Sequence, residues 1–231
     1  MKGYSRRACA YFEARAIDRQ LAWDCGVRET DGAIVWPTVD ADGNPAPRRR
    51  KLAAGPGPKV RGPYGKTVGV WWPLGRPEPP VRGDVLICEG ESDPMAAVSV
   101  LQESDHVYVC SGKASVKTLA AELTGLGVSV AALGFDGDTA GALSAGRHAQ
   151  ALVAEGIGVR ILSVPDGEDL ASVLGALDDP RAWLLLALAQ ARPVGLETAA
   201  LVAENRWLRR RCVDLLLDTY PGVAGVLGVT N

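Results

Sequence analysis

The chain has 231 residues, 47% of them hydrophobic and 6% aromatic, enough to bury a core for one large or two small domains. Its formal net charge of −2 gives no global attraction to nucleic acid, so any such site has to be a local patch. The amino-terminal stretch MKGYSRRACAYFEARAID lacks the apolar core of a signal peptide, and no run of about 18 apolar residues suggests a membrane span, so a soluble, cytoplasmic protein is expected.

Residues 1–80 read as short elements broken by Pro and Gly. A helix is predicted over 8–22, and GAIVWPTVDADGNPAPRRRKL reads as a hairpin turning at DADGN. Trp36, Trp71 and Trp72 lie in strand-like stretches and are expected in the core rather than on a base-stacking surface. RPEPPVRGD is the linker. From Asp84 the rhythm becomes regular, with VLIC, HVYVC, VSVAALGF and VRILSV as strands and DPMAAVSVLQE, SVKTLAAELTGLG and AGALSAGRHAQALVAEG as helices between them. Near-continuous apolar strands alternating with helices predict a parallel sheet covered on both faces, with any site at the carboxyl ends of the strands.

Residues 179–231 are predicted helical, with PRAWLLLALAQARP followed by a segment carrying RWLRRR, read as the solvated face of a packed helix. The expected divisions are therefore 1–80, 81–178 and 179–231. Five cysteines (Cys9, Cys25, Cys88, Cys110, Cys212) lie far apart with no C-x-x-C pair, and there are two histidines, which argues against a structural zinc site within the chain. Cys88 and Cys110, inside apolar runs, read as buried thiols.

Three strand ends carry carboxylates: VLICEGESD, LGFDGDTAG and VRILSVPDGEDLASVL. Asp136 and Asp138 are two apart, so in extended chain they point to one side. Parallel connectivity brings all three ends to one rim, and such a cluster binds a hard cation, pairs with Lys or Arg, or titrates upward to neutrality. Mg²⁺ suits it, because that ion takes carboxylate oxygens and is completed by waters and substrate phosphates. The competing explanation is a set of solvated loop and helix-capping acids. Gly90 and Gly137 let the backbone turn tightly beside such acids.

LICEGESDPMAA, then FDGDTAG and PDGEDL, resemble the Toprim domain shared by bacterial-type primases, topoisomerases and some nucleases and recombination proteins, over about residues 84–175. YFEARAIDRQLAWDCGV and the hairpin after it are similar to the segment preceding Toprim in bacterial and phage primases, which extends the resemblance over residues 11–75. The resemblance implies an α/β fold: a Toprim parallel sheet with flanking helices, a small α+β subdomain before it and a helical tail after it. It also implies a DNA primase core of phage or mobile-element type, making short RNA primers on single-stranded DNA with Mg²⁺ or Mn²⁺.

On that resemblance Glu89 is the general acid/base, and Glu89, Asp136, Asp138 and Asp169 are the metal-site acids. Asp93, Gly90, Gly137 and Gly141 support the motifs. Cellular primases carry a further Asp where this chain has Ala171. Glu91 and Glu168 have no motif equivalent and are expected to be exposed loop acids. Arg48, Arg49, Arg50 and Lys51, followed by Lys59, Arg61 and Lys66, form the densest basic run, with Tyr64 as a stacking surface and Lys113 near the rim. The implied partners are a single-stranded DNA template, nucleoside triphosphates, and a separate replicative helicase or zinc-binding primase subunit. The alternatives are a Toprim nuclease acting on DNA or RNA and a non-catalytic nucleic-acid-binding subunit.

Overall fold

A computed structural model describes residues 3–53, 59–62 and 67–194. Lys66, Tyr64, Cys212 and the 195–231 segment lie outside the described residues. The amino-terminal stretch forms two helices, α1 (Arg6–Glu13) and α2 (Arg19–Asp24), where one was predicted. The break follows from Asp18, whose side chain accepts the Leu21 N–H at 2.6 Å and starts a new helix, while Ala16 takes φ 51° in the turn before it. Ile17 is carried inward by this turn and is 4% exposed.

A four-stranded antiparallel sheet follows, in the order β1 (Arg28–Thr30), β2 (Ala33–Trp36), β3 (Arg48–Lys51) and β4 (Val60–Arg61). The predicted hairpin is present, with Trp36 opposite Arg48 and Ala33 opposite Lys51. Its tip is tied by Asp40, which accepts the N–H groups of Asp42 and Asn44.

The second sheet has the order β6 (Val107–Ser111), β5 (Asp84–Cys88), β7 (Val130–Gly134), β8 (Gly158–Ile161) and β9 (Arg192–Val194). The first four strands are parallel, and β9 closes the edge antiparallel to β8. The helices between them are α3 (Ser92–Val100), α4 (Val116–Gly125), α5 (Thr139–Ala154), α6 (Leu170–Gly175) and α7 (Pro180–Gln190). The sequence predicted helix through ARP, but α7 stops at Gln190 because Pro193 cannot join a helix interior and biases Arg192 toward extended backbone.

Strand alternation separates two core layers. Leu86, Cys88 and Ala132 face one side, where they meet α3, α6, α7 and the buried residues Phe12, Ile34, Trp36 and Trp71 of the amino-terminal part. Val85, Ile87, Ala131 and Leu133 face the other side, with α4, α5 and Trp72. The two parts of the chain therefore share one hydrophobic layer, and the three tryptophans are core residues as expected. Cys88 and Cys110 are fully buried free thiols, and burial pushes both well above the ordinary thiol range. Among the described residues no helix is long and apolar enough to cross a membrane.

Candidate active site at the carboxyl edge of the sheet

The strand order sets the order of side chains along the rim: Lys113 after β6, Glu89 after β5, Asp136 and Asp138 after β7, and Asp169 between β8 and α6. Glu89 accepts from Lys113 Nζ at 3.2 Å and lies 3.4 Å from the backbone N–H of Asp136. Asp136 is pushed up to about 7, first by burial and then by the negative charges of Asp93, Glu89 and Asp169, with Lys113 pulling the other way. A carboxyl in that condition is ionised at neutral pH at a cost that a bound cation would remove.

Asp138 is the N-cap of α5, accepting the Gly141 N–H at 2.7 Å through Oδ1. Asp169 caps α6 in the same way, accepting the Ser172 N–H at 2.6 Å, while its own N–H donates to Ser172 Oγ. The capping explanation and the metal-site reading thus apply to the same residues, since a cap occupies one carboxylate oxygen. Among the described residues no three His, Cys, Asp or Glu side chains converge as a ready-made metal cage. Hard carboxylate donors on an open rim fit an Mg²⁺-type ion that keeps waters and is completed by substrate phosphates.

The second and third acidic loops are bonded to each other. The Gly137 N–H donates to the Glu168 carbonyl at 2.9 Å, and the Gly167 N–H donates to the Gly137 carbonyl at 2.7 Å. A Cβ on Gly137 would overlap the Pro165 carbonyl, so glycine is required there by close approach. Gly90 is required for the same reason, since a Cβ would sit 2.6 Å from Asp93 Oδ2. Neither has a positive φ. Asp93, 2% exposed, accepts the N–H groups of Gly90 and Ala171, so it ties the first loop to α6. Burial, then Asp169, raises its carboxyl to about 6.

The basic strand divides by side-chain parity. Arg48 and Arg50 lie opposite the buried Trp36 and Ile34, on the face turned toward the large sheet, while Arg49 pairs with Asp31 at 3.2 Å on the outside, beside the exposed Arg61. Lys51 follows Arg49 in parity, two residues along the strand. Arg50 lies over the Tyr11 ring at 5.3 Å, and Arg15 lies over the same ring at 4.3 Å. Lys59 is lowered by the charge of Arg50, by burial and by the charge of Arg15, with Asp169 opposing. Arg15 Nη2 is 3.9 Å from Asp169 Oδ2, so this cluster meets the rim.

The expectation for Glu91 is overturned. In place of an exposed loop acid, the structure has a carboxylate that is 4% exposed and bonded to Arg48 Nη1, because α3 starts beneath the inward face of β3. Glu168 is exposed as expected and accepts from Ser172 Oγ at 2.7 Å. Tyr11 and Arg15 were missed as site residues. Their signal was the i, i+4 spacing at the end of the first helical pattern, which carries no chemistry until β3 and β4 bring Arg50 and Lys59 against it.

The Toprim-like family model matches residues 86–174. No curated protein matches the sequence. Among solved structures, a DNA primase domain from Pseudomonas aeruginosa is similar at 17% identity and TM-score 0.63, over 99% of this chain and 92% of that one. The zinc-binding and RNA polymerase domains of the Aquifex aeolicus primase give 15% identity and TM-score 0.65, over 94% of this chain, which spans 63% of the Aquifex chain. A DnaG primase catalytic domain bound to single-stranded DNA gives 16% identity and TM-score 0.58, over 98% of this chain and 90% of that one. Residues 86–174 match the Toprim-like family model, and the chain that carries them has the fold of the primase catalytic cores.

Proposed function

We propose that this chain is a primase catalytic core, of phage or mobile-element type, that makes short RNA primers on single-stranded DNA in the cytoplasm of its host. The observation that carries this reading is the junction of Arg15 and Arg50, which share the Tyr11 ring, with the acidic rim at Asp169. Nucleotidyl transfer needs a place for phosphates beside carboxylates, and a nuclease or scaffold of Toprim type does not need the basic amino-terminal part fused into the same core. The likeness to a primase domain bound to single-stranded DNA supports the same assignment of partner. We divide the chain into a basic subdomain (1–80), a Toprim domain (81–178) and a carboxyl-terminal region (179–231).

In the reaction the 3′-hydroxyl oxygen of the growing primer attacks the α-phosphorus of a nucleoside triphosphate. The new O3′–Pα bond forms as the bond to the bridging oxygen of pyrophosphate breaks. Glu89 takes the hydroxyl proton, and Lys113 at 3.2 Å orients its carboxylate. Arg15, Arg50 and Lys59 hold the triphosphate, while Arg49, Lys51 and Arg61 on the opposite face of the strands follow the template backbone. Asp136, Asp138 and Asp169 would hold Mg²⁺ or Mn²⁺, which when bound neutralises the phosphates and the leaving oxygen. A separate helicase or zinc-binding subunit is the proposed partner, as the primase of Aquifex aeolicus carries a zinc-binding domain.

The test is incubation of the purified chain with single-stranded DNA, labelled ribonucleotides and Mg²⁺ or Mn²⁺, beside Asp136→Ala/Asp138→Ala. Short products that the variant does not make are expected. Degraded template, dependent on the same aspartates, would replace this reading with a nuclease. Absence of both activities, with a helicase and zinc-domain partner added, would reduce the chain to a binding subunit.

A further inference from the structure

Arg48 opens the basic run but does not share the surroundings of its neighbours. Its strand partner is Trp36, 1% exposed, so its side chain starts on the buried face of the small sheet. It passes along Gly62, where a Cβ would come within 3.7 Å of Arg48 Cγ, and ends on the carboxylate of Glu91. The two side chains are 17% and 5% exposed, and Arg48 Nε is buried without a hydrogen-bond partner. An arginine in this setting is held by one buried carboxylate and has little surface open to solvent.

Glu91 occupies the capping position of α3 in helical backbone geometry and makes no capping bond, and its carboxylate meets Arg48. It lies two residues from Glu89 and two from Asp93. The first acidic loop is therefore held at two points: Asp93 fastens it to α6, and Glu91 fastens it to β3, the strand that carries Arg50. Glu89, two residues before the nearer of these anchors, accepts from Lys113. Arg50, Tyr11, Arg15 and Lys59 reach the rim from the same small subdomain.

We propose that Arg48 and Glu91 form a positioning pair that sets the register between the basic strand and the loop bearing Glu89, and that Arg48 is not one of the phosphate-contacting cations. The inference rests on the primase reading for its kinetic consequence but not for its binding consequence. Removing either partner leaves a buried charge without its counter-ion, so the loop or the strand must shift to find water. A shift on the order of 1 Å is enough to lower turnover by up to about a hundredfold without removing any group from the template surface.

The experiment compares Arg48→Ala, Arg48→Lys, Glu91→Gln, Arg48→Ala/Glu91→Gln and Arg50→Ala in the full chain. Affinity for oligo-dT is followed as a function of salt, beside the turnover and KM of priming. Arg48→Ala and Glu91→Gln should each lower kcat tenfold or more, on the order expected for misplaced groups. Both should leave the salt slope of DNA binding and the nucleotide KM within twofold of wild type, and the double variant should be no worse than Arg48→Ala. Arg48→Lys, which keeps a charge for Glu91, should recover most of the loss. Arg50→Ala should instead raise the nucleotide KM. The pair is overturned if Arg48→Ala reduces the salt slope by about 0.7, the mark of one lost phosphate contact on a single strand, or if Glu91→Gln primes at the wild-type rate. If Glu91→Gln does not fold, the neutral pair Arg48→Gln/Glu91→Gln replaces it, with the same readouts and the same outcomes for and against the pair. A wild-type chain that makes no primer sinks the primase reading alone. The salt slopes, together with non-additive melting of the two single variants, then decide the pair.

Discussion

Asp93 Oδ1 accepts the backbone N–H of Ala171 at 3.1 Å, 78 residues along the chain, while Oδ2 of the same carboxylate accepts the Gly90 N–H at 2.9 Å. One buried acid thus joins the loop of Glu89 to the helix that Asp169 caps. Ala171 contributes its N–H, and its methyl group is fully buried in the core with Leu170 and Leu174.

Asp93→Ala should unfold at lower denaturant concentration, by about 2–4 kcal/mol, because two N–H groups lose their acceptor. A rise from 3.8 to about 6 favours the protonated form by about 3 kcal/mol. For an acid raised on folding, this contribution is complete below pH 3.8 and is lost as pH climbs toward 6. Asp93→Asn should flatten the stability profile between pH 4 and 6, as read by urea titrations across that range.

The raised carboxyl of Asp136 predicts a coupling between pH and metal. Without divalent ions, Asp136 should cost stability as pH rises toward 7, because its ionised form meets Asp93, Glu89 and Asp169. Mg²⁺ should therefore raise Tm more at pH 8 than at pH 5. The Asp136→Ala/Asp138→Ala variant should show no such difference, which scanning calorimetry can read directly.

Gly137→Ala tests the bond between the second and third acidic loops. The added methyl overlaps the Pro165 carbonyl, so the two loops must part and the hydrogen bonds to Glu168 and Gly167 weaken. Priming should fall by an order of magnitude or more, while circular dichroism stays that of the folded chain.

Tyr11→Leu removes the ring beneath Arg15 and Arg50 at 4.3 and 5.3 Å. The two guanidiniums would then lose a contact of roughly 0.5–2 kcal/mol, and the nucleotide KM should rise about two- to thirtyfold with kcat little changed. Tyr11→Phe, which keeps the ring beneath both guanidiniums, should leave the nucleotide KM near the wild-type value.

The α/β sheet and its acids were legible in the sequence because both follow from local rules. Apolar runs such as VLIC and VSVAALGF, alternating with helical patterns, read as strands covered on both faces, and parallel strands put their carboxyl ends, with Glu89, Asp136 and Asp169, on one rim. The capping roles of Asp138 and Asp169 were legible too, as the competing explanation. What a linear reading could not supply was partnership across the fold. It placed Glu91 in solvent because no motif position claimed it, whereas β3, more than 40 residues earlier, covers it and supplies Arg48. It treated Arg48, Arg49, Arg50 and Lys51 as one basic run, whereas strand parity turns Arg48 to a buried acid and Arg50 to the Tyr11 ring while Arg49 faces solvent. Tyr11 and Arg15 acquire a role only when Arg50, Lys59 and Asp169 arrive from three other elements. Periodicity and strand ends are properties of neighbouring residues and can be read along the chain. The pairing of a buried charge depends on which distant surface excludes water from it, and only the packed structure decides that.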